Sequence, residues 1–240
     1  RGMLKTWNLF LVILTFSSVI FGTFATRSGL VESVHSFARS GIGTPMFLFW
    51  FTLTFTAVAL LLWRRSQGLL RDERQFKSFL SRESLFVLNN LIFVALFFVV
   101  AWGSFGAPIT SELFMDTNIT LGTDYFMRVT PPLFLAMYIL MGVAPLSAWG
   151  ATSLAKLGKS LAMPLVLTAI TMTFLFVTGT NSIGAMIGYG VVFLSGYVAI
   201  VEIGRGFLAR QRVHKESPIK SFTALFARNP RRYGGYMIHL

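Results

Sequence analysis

The 240-residue sequence contains no cysteine and only three histidines. The absence of cysteine excludes disulfides, thiolate nucleophiles, cysteine-ligated zinc and iron–sulfur clusters within this chain. Charged residues are also scarce, at 12% of the sequence, which excludes an ordinary soluble enzyme and an intrinsically disordered chain. The sequence shows no HExxH motif, no phosphate-binding glycine loop and no pair of carboxylates within one apolar run, so no common catalytic set is present.

Apolar residues, by contrast, make up 54% of the sequence. They are grouped in runs of about 18–20 residues, the length that crosses a hydrocarbon core of about 30 Å. The runs are Asn8–Ala25, Pro45–Trp63, Ser84–Trp102, Thr130–Trp149, Leu161–Gly179 and Ile183–Val201, and Tyr233–Leu240 begins another. The sequence therefore predicts an all-α polytopic membrane protein, with six full transmembrane helices and the start of a seventh in a single domain over residues 1–240.

The basic residues divide the predicted loops into two classes. If the N-terminus is cytoplasmic, all basic residues except Arg27, Arg39 and Arg128 lie on the inner side. This bias follows the positive-inside rule and favours that orientation. It also explains the net charge of +12 as a topology signal, so we expect no nucleic-acid partner. The predicted inner loops are 64–83 and 202–232, and the outer loops are 26–44 and 103–129, the second irregular in structure.

Two of the three histidines are candidate ligands. His239 lies in the predicted seventh span, and an ionisable residue at membrane depth is a functional-site hypothesis by default. Two interpretations stay open for it: a buried neutral imidazole bonded to a neighbouring helix, or a ligand to a metal or haem. His35 lies in the first outer loop, where it is either part of a short amphipathic surface helix or a solvated loop residue. His214, among basic residues, is predicted to be solvated.

Two outer arginines and a pair of glycines complete the candidate features. Arg27 and Arg39 flank His35 and could hold propionate or phosphate groups through charge-assisted hydrogen bonds. Contact with lipid head groups is the alternative for both. Gly184 and Gly188 have the spacing that lets two membrane helices approach closely, which predicts a helix-packing face rather than a ligand groove.

A series of short segments along the chain carries a resemblance to a known family. The N-terminal segments are Arg1–Asn8, Gly22–Gly29 and Ser33–Ala38. The later ones are Ser81–Ser84, Asn89–Asn90, Gly122 with Tyr125–Phe126, Pro132, Pro145–Leu146, Trp149 and Tyr233–Leu240. In this order they resemble the CcmF/NrfE-type cytochrome c biogenesis proteins; no single segment is decisive, but together they cover essentially the whole chain.

The resemblance implies a haem lyase of the system I maturation pathway, a multi-pass protein of the bacterial inner membrane with a periplasmic active face. Such a lyase attaches haem, delivered by a periplasmic haem chaperone, to the Cys-x-x-Cys-His motif of apocytochrome c. The resemblance further implies that His35 is an axial ligand to the transferred haem at the outer face. His239 is implied to ligate the iron of a resident b-type haem within the membrane. Thiol-handling maturation subunits are implied as further partners.

The sequence lacks several features of the family pattern. The tryptophan-rich haem-holding motif and the partner histidines of both haem sites are absent; in the family they precede the region that Arg1 matches. We therefore expect this chain to be the middle-to-late part of a longer lyase, inactive without that upstream part. A haem or small-solute permease would instead need a polar path between the spans, and a non-catalytic membrane scaffold would leave both histidines only packed or solvated.

Overall fold

The computed structural model of the protein describes residues 4–28, 41–71, 78–117, 119–148 and 151–238. These residues form helices and connecting turns, with no strand among them. The chain divides into two compact units, Arg1–Gln75 and Phe76–Leu240.

The first unit is a helical hairpin of α1 (Lys5–Ser28) and α2 (Gly43–Ser66). A small polar network joins the two helices in the middle of their apolar surfaces. The Trp50 indole Nε1 donates to the Ser17 carbonyl at 3.1 Å and lies 2.9 Å from its Oγ, and the hydroxyls of Ser17 and Thr54 are 2.8 Å apart. Because each of these polar groups has a partner, the hairpin satisfies the demand that an apolar surrounding places on them.

The second unit contains the remaining helices. They are α3 (Arg82–Ala101), α4 (Ala107–Met115), α5 (Thr123–Val143), α6 (Leu154–Val177), α7 (Ile183–His214), α8 (Pro218–Arg228) and α9 (Gly235–Ile238). A π-helical turn, Trp102–Gly106, joins α3 to α4, a 3₁₀ turn, Ala144–Leu146, ends α5, and a second π-helical turn, Pro230–Gly234, leads into α9. Within this unit α5 packs against both α3 and α7, and α6 packs against α7.

Six helical segments among the described residues are long and apolar enough to cross a membrane. They are Lys5–Ser28, Gly43–Ser66, Arg82–Glu112, Thr123–Leu146, Leu154–Val177 and Ile183–His214. The predicted all-α class with six spans is therefore confirmed. The cytoplasmic N-terminus, the single domain and the sidedness of the loops stay predictions.

The predicted irregular loop 103–129 is largely helical, so that part of the prediction is wrong. The helix of α3 continues through the π-helical turn into α4, and Pro108, which has no N–H to donate, lies just after that turn. The left-handed backbone of Asp116, at φ 51°, ends α4. Because α5 already begins at Thr123, only a short connection remains. The glycine and proline residues of this segment mark a junction between helices, and they do not end the regular structure.

The predicted inner loop 202–232 is also mostly helical. The helix α7 runs on to His214, beyond the apolar run that ends at Val201. An ion pair with two hydrogen bonds between Arg210 and Glu216, at 2.9 and 3.1 Å, closes the turn before α8. The fall in hydrophobicity marks where the helix leaves the apolar layer, and it does not mark where the helix ends. A helix satisfies its own backbone hydrogen bonds in water as well as in lipid, so it can continue into water.

Among the described residues, a close approach of two helices at a glycine is found at Gly142. A Cβ at Gly184 or Gly188 would meet no atom within 4 Å among the described residues. A Cβ at Gly142 on α5, by contrast, would lie 3.6 Å from the Ser195 Cα on α7. Within the described part of the chain no helix approaches Gly184 or Gly188, so the predicted packing face stays a prediction.

A buried aromatic cluster joins α7, α8 and the turn that leads into α9. Tyr233 and Tyr236 are 6% and 7% exposed and pack with Ala199 and Leu225. The Tyr233 hydroxyl lies directly against Gly206. A Cβ added at position 206 would overlap this hydroxyl and would lie 2.8 Å from the Cζ atom of the Tyr233 ring. Gly206 thus provides the space in which the Tyr233 ring sits.

We expect Gly206→Ala to destabilise the protein by about 1–3 kcal/mol, because the added methyl displaces Tyr233 from a packed site. The measurement is the midpoint of thermal unfolding by circular dichroism in detergent. Gly204→Ala is the matched control, because a Cβ there meets nothing within 4 Å among the described residues and alanine favours a helix over glycine by roughly 1 kcal/mol. Equal midpoints for the two variants would contradict the packing role of Gly206.

Candidate functional site

A cavity of about 520 Å³ lies between α3 and α5 in the second unit, next to the turn that leads into α9. We call it the α3–α5 cavity. Its walls are mostly apolar and include Leu85, Phe86, Phe93, Met137, Leu140 and Met141. Apolar residues at helical spacing on two neighbouring helices produce such a wall when the helices diverge slightly at one end.

The polar residues of the α3–α5 cavity are mainly cationic. They are Arg82, Asn89, Arg231, Arg232 and Tyr236, and the described cavity lining contains no carboxylate. The combination of an apolar wall and a cationic rim suits a ligand with a flat apolar body and an anionic edge, since guanidinium groups bind carboxylates through paired hydrogen bonds.

Arg82 joins the start of α3 to the end of α5. Its Nε donates to the Ser147 carbonyl at 3.0 Å, and its Nη2 donates to the Pro145 carbonyl at 2.8 Å. Its backbone N–H donates to the Ala148 carbonyl at 3.0 Å. The 3₁₀ turn after α5 leaves these carbonyls without helical partners, so Arg82 both satisfies them and holds the wall of the cavity in place.

Arg232 is held on the rim by two side chains. It pairs with Glu202 of α7 at 3.0 Å and lies over the Tyr233 ring at 5.5 Å. Partial burial lowers the pKa of Arg232, but Tyr236, Tyr233 and Glu202 together raise it above its ordinary value. Its guanidinium therefore stays charged wherever the protein is folded. Glu202 also pairs with Arg205 at 2.9 Å, so one carboxylate serves two arginines.

The described lining of the α3–α5 cavity contains no histidine. Among the described residues His214 is the one histidine, and it is exposed at the end of α7. No group of three or more His, Asp or Glu side chains that could hold a metal ion forms among the described residues either. The lining of the α3–α5 cavity therefore suits the apolar body and the carboxylates of a haem and offers no imidazole to its iron.

The structure describes one of the four predicted haem-binding residues. Arg27 lies in the last turn of α1 with an exposed side chain, where a cation complements the negative end of the helix dipole. His35, Arg39 and His239 lie outside the described residues. Their predicted roles therefore stay predictions.

The sequence pattern did not predict the rim residues as site residues. Arg231 and Arg232 were considered only as charges that orient the chain, and Arg82 as such a charge and as part of the segment Ser81–Ser84. A usable signal was present, because Asn89 and Tyr236 are polar residues within apolar stretches close to those arginines in sequence. What joins them is the pairing of α3 with α5 and the position of the turn into α9 beside the cavity, which no local pattern specifies.

No protein-family model matches the chain. The cytochrome c-type biogenesis protein ccl1 of Rhodobacter capsulatus is 32% identical over 203 residues, which cover 83% of this chain and 30% of that protein. The cytochrome c-type biogenesis protein CcmF of Escherichia coli is 30% identical over 212 residues, covering 88% and 32%. A solved structure of "Cytochrome c Heme Lyase CcmF" superposes with a TM-score of 0.65 at 25% identity, covering 100% of this chain and 32% of that one.

The chain is a CcmF/NrfE-type sequence. It spans about a third of the length of the curated relatives it matches. The resemblance stated from the ordered sequence segments is therefore confirmed.

In this CcmF/NrfE-type chain we expect Arg82→Lys to destabilise the protein by roughly 1–3 kcal/mol. Lysine cannot reproduce the fixed fork that reaches both carbonyls, and a buried carbonyl that loses its donor carries a desolvation penalty of that order. Arg231→Lys, on the same rim but exposed, is the control. Unfolding midpoints that are equal for both variants would show that Arg82 does not hold α3 to α5.

Proposed function

We propose that this chain forms part of a membrane haem lyase that attaches haem covalently to apocytochrome c. The observation that supports this most directly is the similarity over the whole chain to a solved structure named as a cytochrome c haem lyase. The six apolar helices support a multi-pass position in the membrane. We further propose the inner membrane, with the basic loops cytoplasmic, because the positive charges are concentrated on one set of loops.

The first part of the proposal concerns a resident b-type haem, with His239 as one axial ligand. In the sequence His239 lies three residues after Tyr236, the separation that places two side chains on one face of an α-helix, and Tyr236 lines the α3–α5 cavity. When bound, the haem would supply an iron centre that changes between two oxidation states. Arg231 and Arg232 would pair with its propionates, and the apolar wall would exclude water from its ring.

The second part concerns the haem that is the substrate, at the outer face. We propose His35 as an axial ligand to its iron, with Arg27 and Arg39 near its propionates. The reaction adds a thiol of the Cys-x-x-Cys-His motif across each vinyl group: sulfur bonds to one vinyl carbon, a proton to the other, and no group leaves. A neutral imidazole suits this role because it ligates iron without adding charge.

The partners follow from the same proposal. A periplasmic haem chaperone would deliver the substrate haem, and thiol-handling maturation subunits would keep the apocytochrome cysteines reduced. The chain itself has no cysteine, so it cannot exchange thiols with the substrate. The tryptophan-rich motif and the partner histidines would come from an upstream part of the lyase.

In the full-length lyase that contains this sequence, we expect His239→Ala to lose most of the resident b-type haem, because the iron loses an axial ligand. The measurement is the haem b content per protein by the pyridine haemochrome spectrum. His214→Ala is the control, since His214 is exposed on α7. Full haem b content in the His239→Ala protein would overturn the assignment.

We expect His35→Ala to block covalent attachment while leaving the resident haem b unchanged, because the two histidines serve different haems. Covalent attachment is measured by haem staining of cytochrome c after denaturing electrophoresis. Haem b content in the same preparations is the second measurement, and it separates a specific defect from misfolding. Normal cytochrome c maturation in a His35→Ala strain, or loss of haem b in that variant, would contradict the division of roles.

A further inference from the structure

A second cavity lies in the helical hairpin of the first unit, where α1 begins and α2 ends. It has a volume of about 780 Å³, and we call it the hairpin cavity. One end is polar and is lined by Thr6, Trp7, Arg65 and Arg71. The rest of its lining is apolar, with Phe10, Val58 and Leu62 along the two helices. The cavity is therefore amphipathic along its length, and the proposed haem function makes no use of it.

Trp7 contributes a hydrogen-bond donor that the described residues do not satisfy. Its indole Nε1 is buried and has no hydrogen-bond partner among them. The ring is positioned by stacking on Phe10, with centroids 5.6 Å apart. A buried N–H without an acceptor is unfavourable and is normally satisfied by a water or a ligand. The position of Trp7 in the cavity lining therefore indicates an acceptor atom at the polar end.

Arg65 and Arg71 supply positive charge at the same end. Both are exposed, and neither forms an ion pair with a carboxylate within the described ranges of the chain. In the second unit, by contrast, Arg205, Arg210 and Arg232 each pair with a glutamate. Within the described residues, the charges of these two hairpin arginines are therefore not offset by a carboxylate.

The turn after α2 places Arg71 over the polar end. Gly68 has a left-handed backbone at φ 75°, and a Cβ there would lie 3.3 Å from the Arg71 Nε. Glycine thus permits both the turn and the folded-back arginine. The first N–H groups of α1 lie at this end as well, since Thr6 and Trp7 belong to its first turn, and they add partial positive charge.

We propose that the hairpin cavity binds an anionic phospholipid. Arg65 and Arg71 hold its phosphate, the Trp7 N–H donates to a phosphate or ester oxygen, and an acyl chain lies along the apolar lining. The apolar length of the cavity favours a lipid over free phosphate, because inorganic phosphate would leave that surface without a partner. The charge favours an anionic head group over a zwitterionic one, since a zwitterion brings its own cation to the arginines.

The test is native mass spectrometry of the full chain in detergent, titrated with phosphatidylglycerol, phosphatidylcholine or inorganic phosphate. We expect phosphatidylglycerol to bind in preference to phosphatidylcholine. The double variant Arg65→Gln/Arg71→Gln should weaken phosphatidylglycerol binding by about tenfold or more, given charge-assisted contacts of this kind. Trp7→Phe keeps an aromatic ring but removes the N–H, and should weaken phosphatidylglycerol binding by a smaller factor.

Arg64→Gln is the matched control. It removes the same charge from the adjacent position on α2, where the Arg64 guanidinium lies over the Trp63 ring at 5.6 Å and does not line the hairpin cavity. Helical content by circular dichroism checks that every variant is folded. Equal binding of the two lipids, equal weakening by Arg64→Gln, or displacement of phosphatidylglycerol by inorganic phosphate at similar concentration would each overturn the proposal. Because haem plays no part in this measurement, its failure is distinguishable from failure of the proposed lyase function.

Discussion

The contact of Arg82 with the carbonyls of Pro145 and Ser147 is the constraint on which the second unit most depends. A membrane helix that ends before the aqueous phase leaves carbonyl groups unpaired in an apolar surrounding, which is unfavourable for each of them. The guanidinium supplies two donors from one side chain, at 3.0 and 2.8 Å. This contact ties the start of α3 to the end of α5, beside the cavity between the two helices.

Acidic residues are few, with nine in the whole sequence, and their placement decides which basic side chains form ion pairs. Glu202 pairs with Arg205 and Arg232, and Glu216 pairs with Arg210. These pairs position α7, α8 and the turn before α9, and one of them partly offsets the charge of Arg232 on the rim of the α3–α5 cavity. Arg65 and Arg71 of the hairpin have no such carboxylate among the described residues. Among the described residues, the distribution of the carboxylates thus leaves two cationic sites with different surroundings.

Much of the fold was predictable because a membrane imposes a simple rule. Apolar runs of sufficient length have to be helical there, so the six spans were found correctly from hydrophobicity. Helix ends were not predictable in the same way. The extension of α7 to His214 and the helical continuation from Trp102 to Met115 depend on local hydrogen bonding, to which an apolar-run criterion is insensitive.

The sequence by itself determined the family, the helical class and the histidines that are candidate haem ligands, because ordered motifs and hydrophobic runs are properties of the chain. Only the tertiary structure decided which polar residues share a site. Arg82 and Asn89 of α3 are far from Arg232 in sequence, and their common cavity results from the packing of α3 against α5 and from the position of the turn into α9 beside it. In the same way, Trp7 and Arg65 meet only because α1 and α2 fold back on each other. Contacts between helices depend on side-chain shape on both partners, which no single stretch of sequence contains.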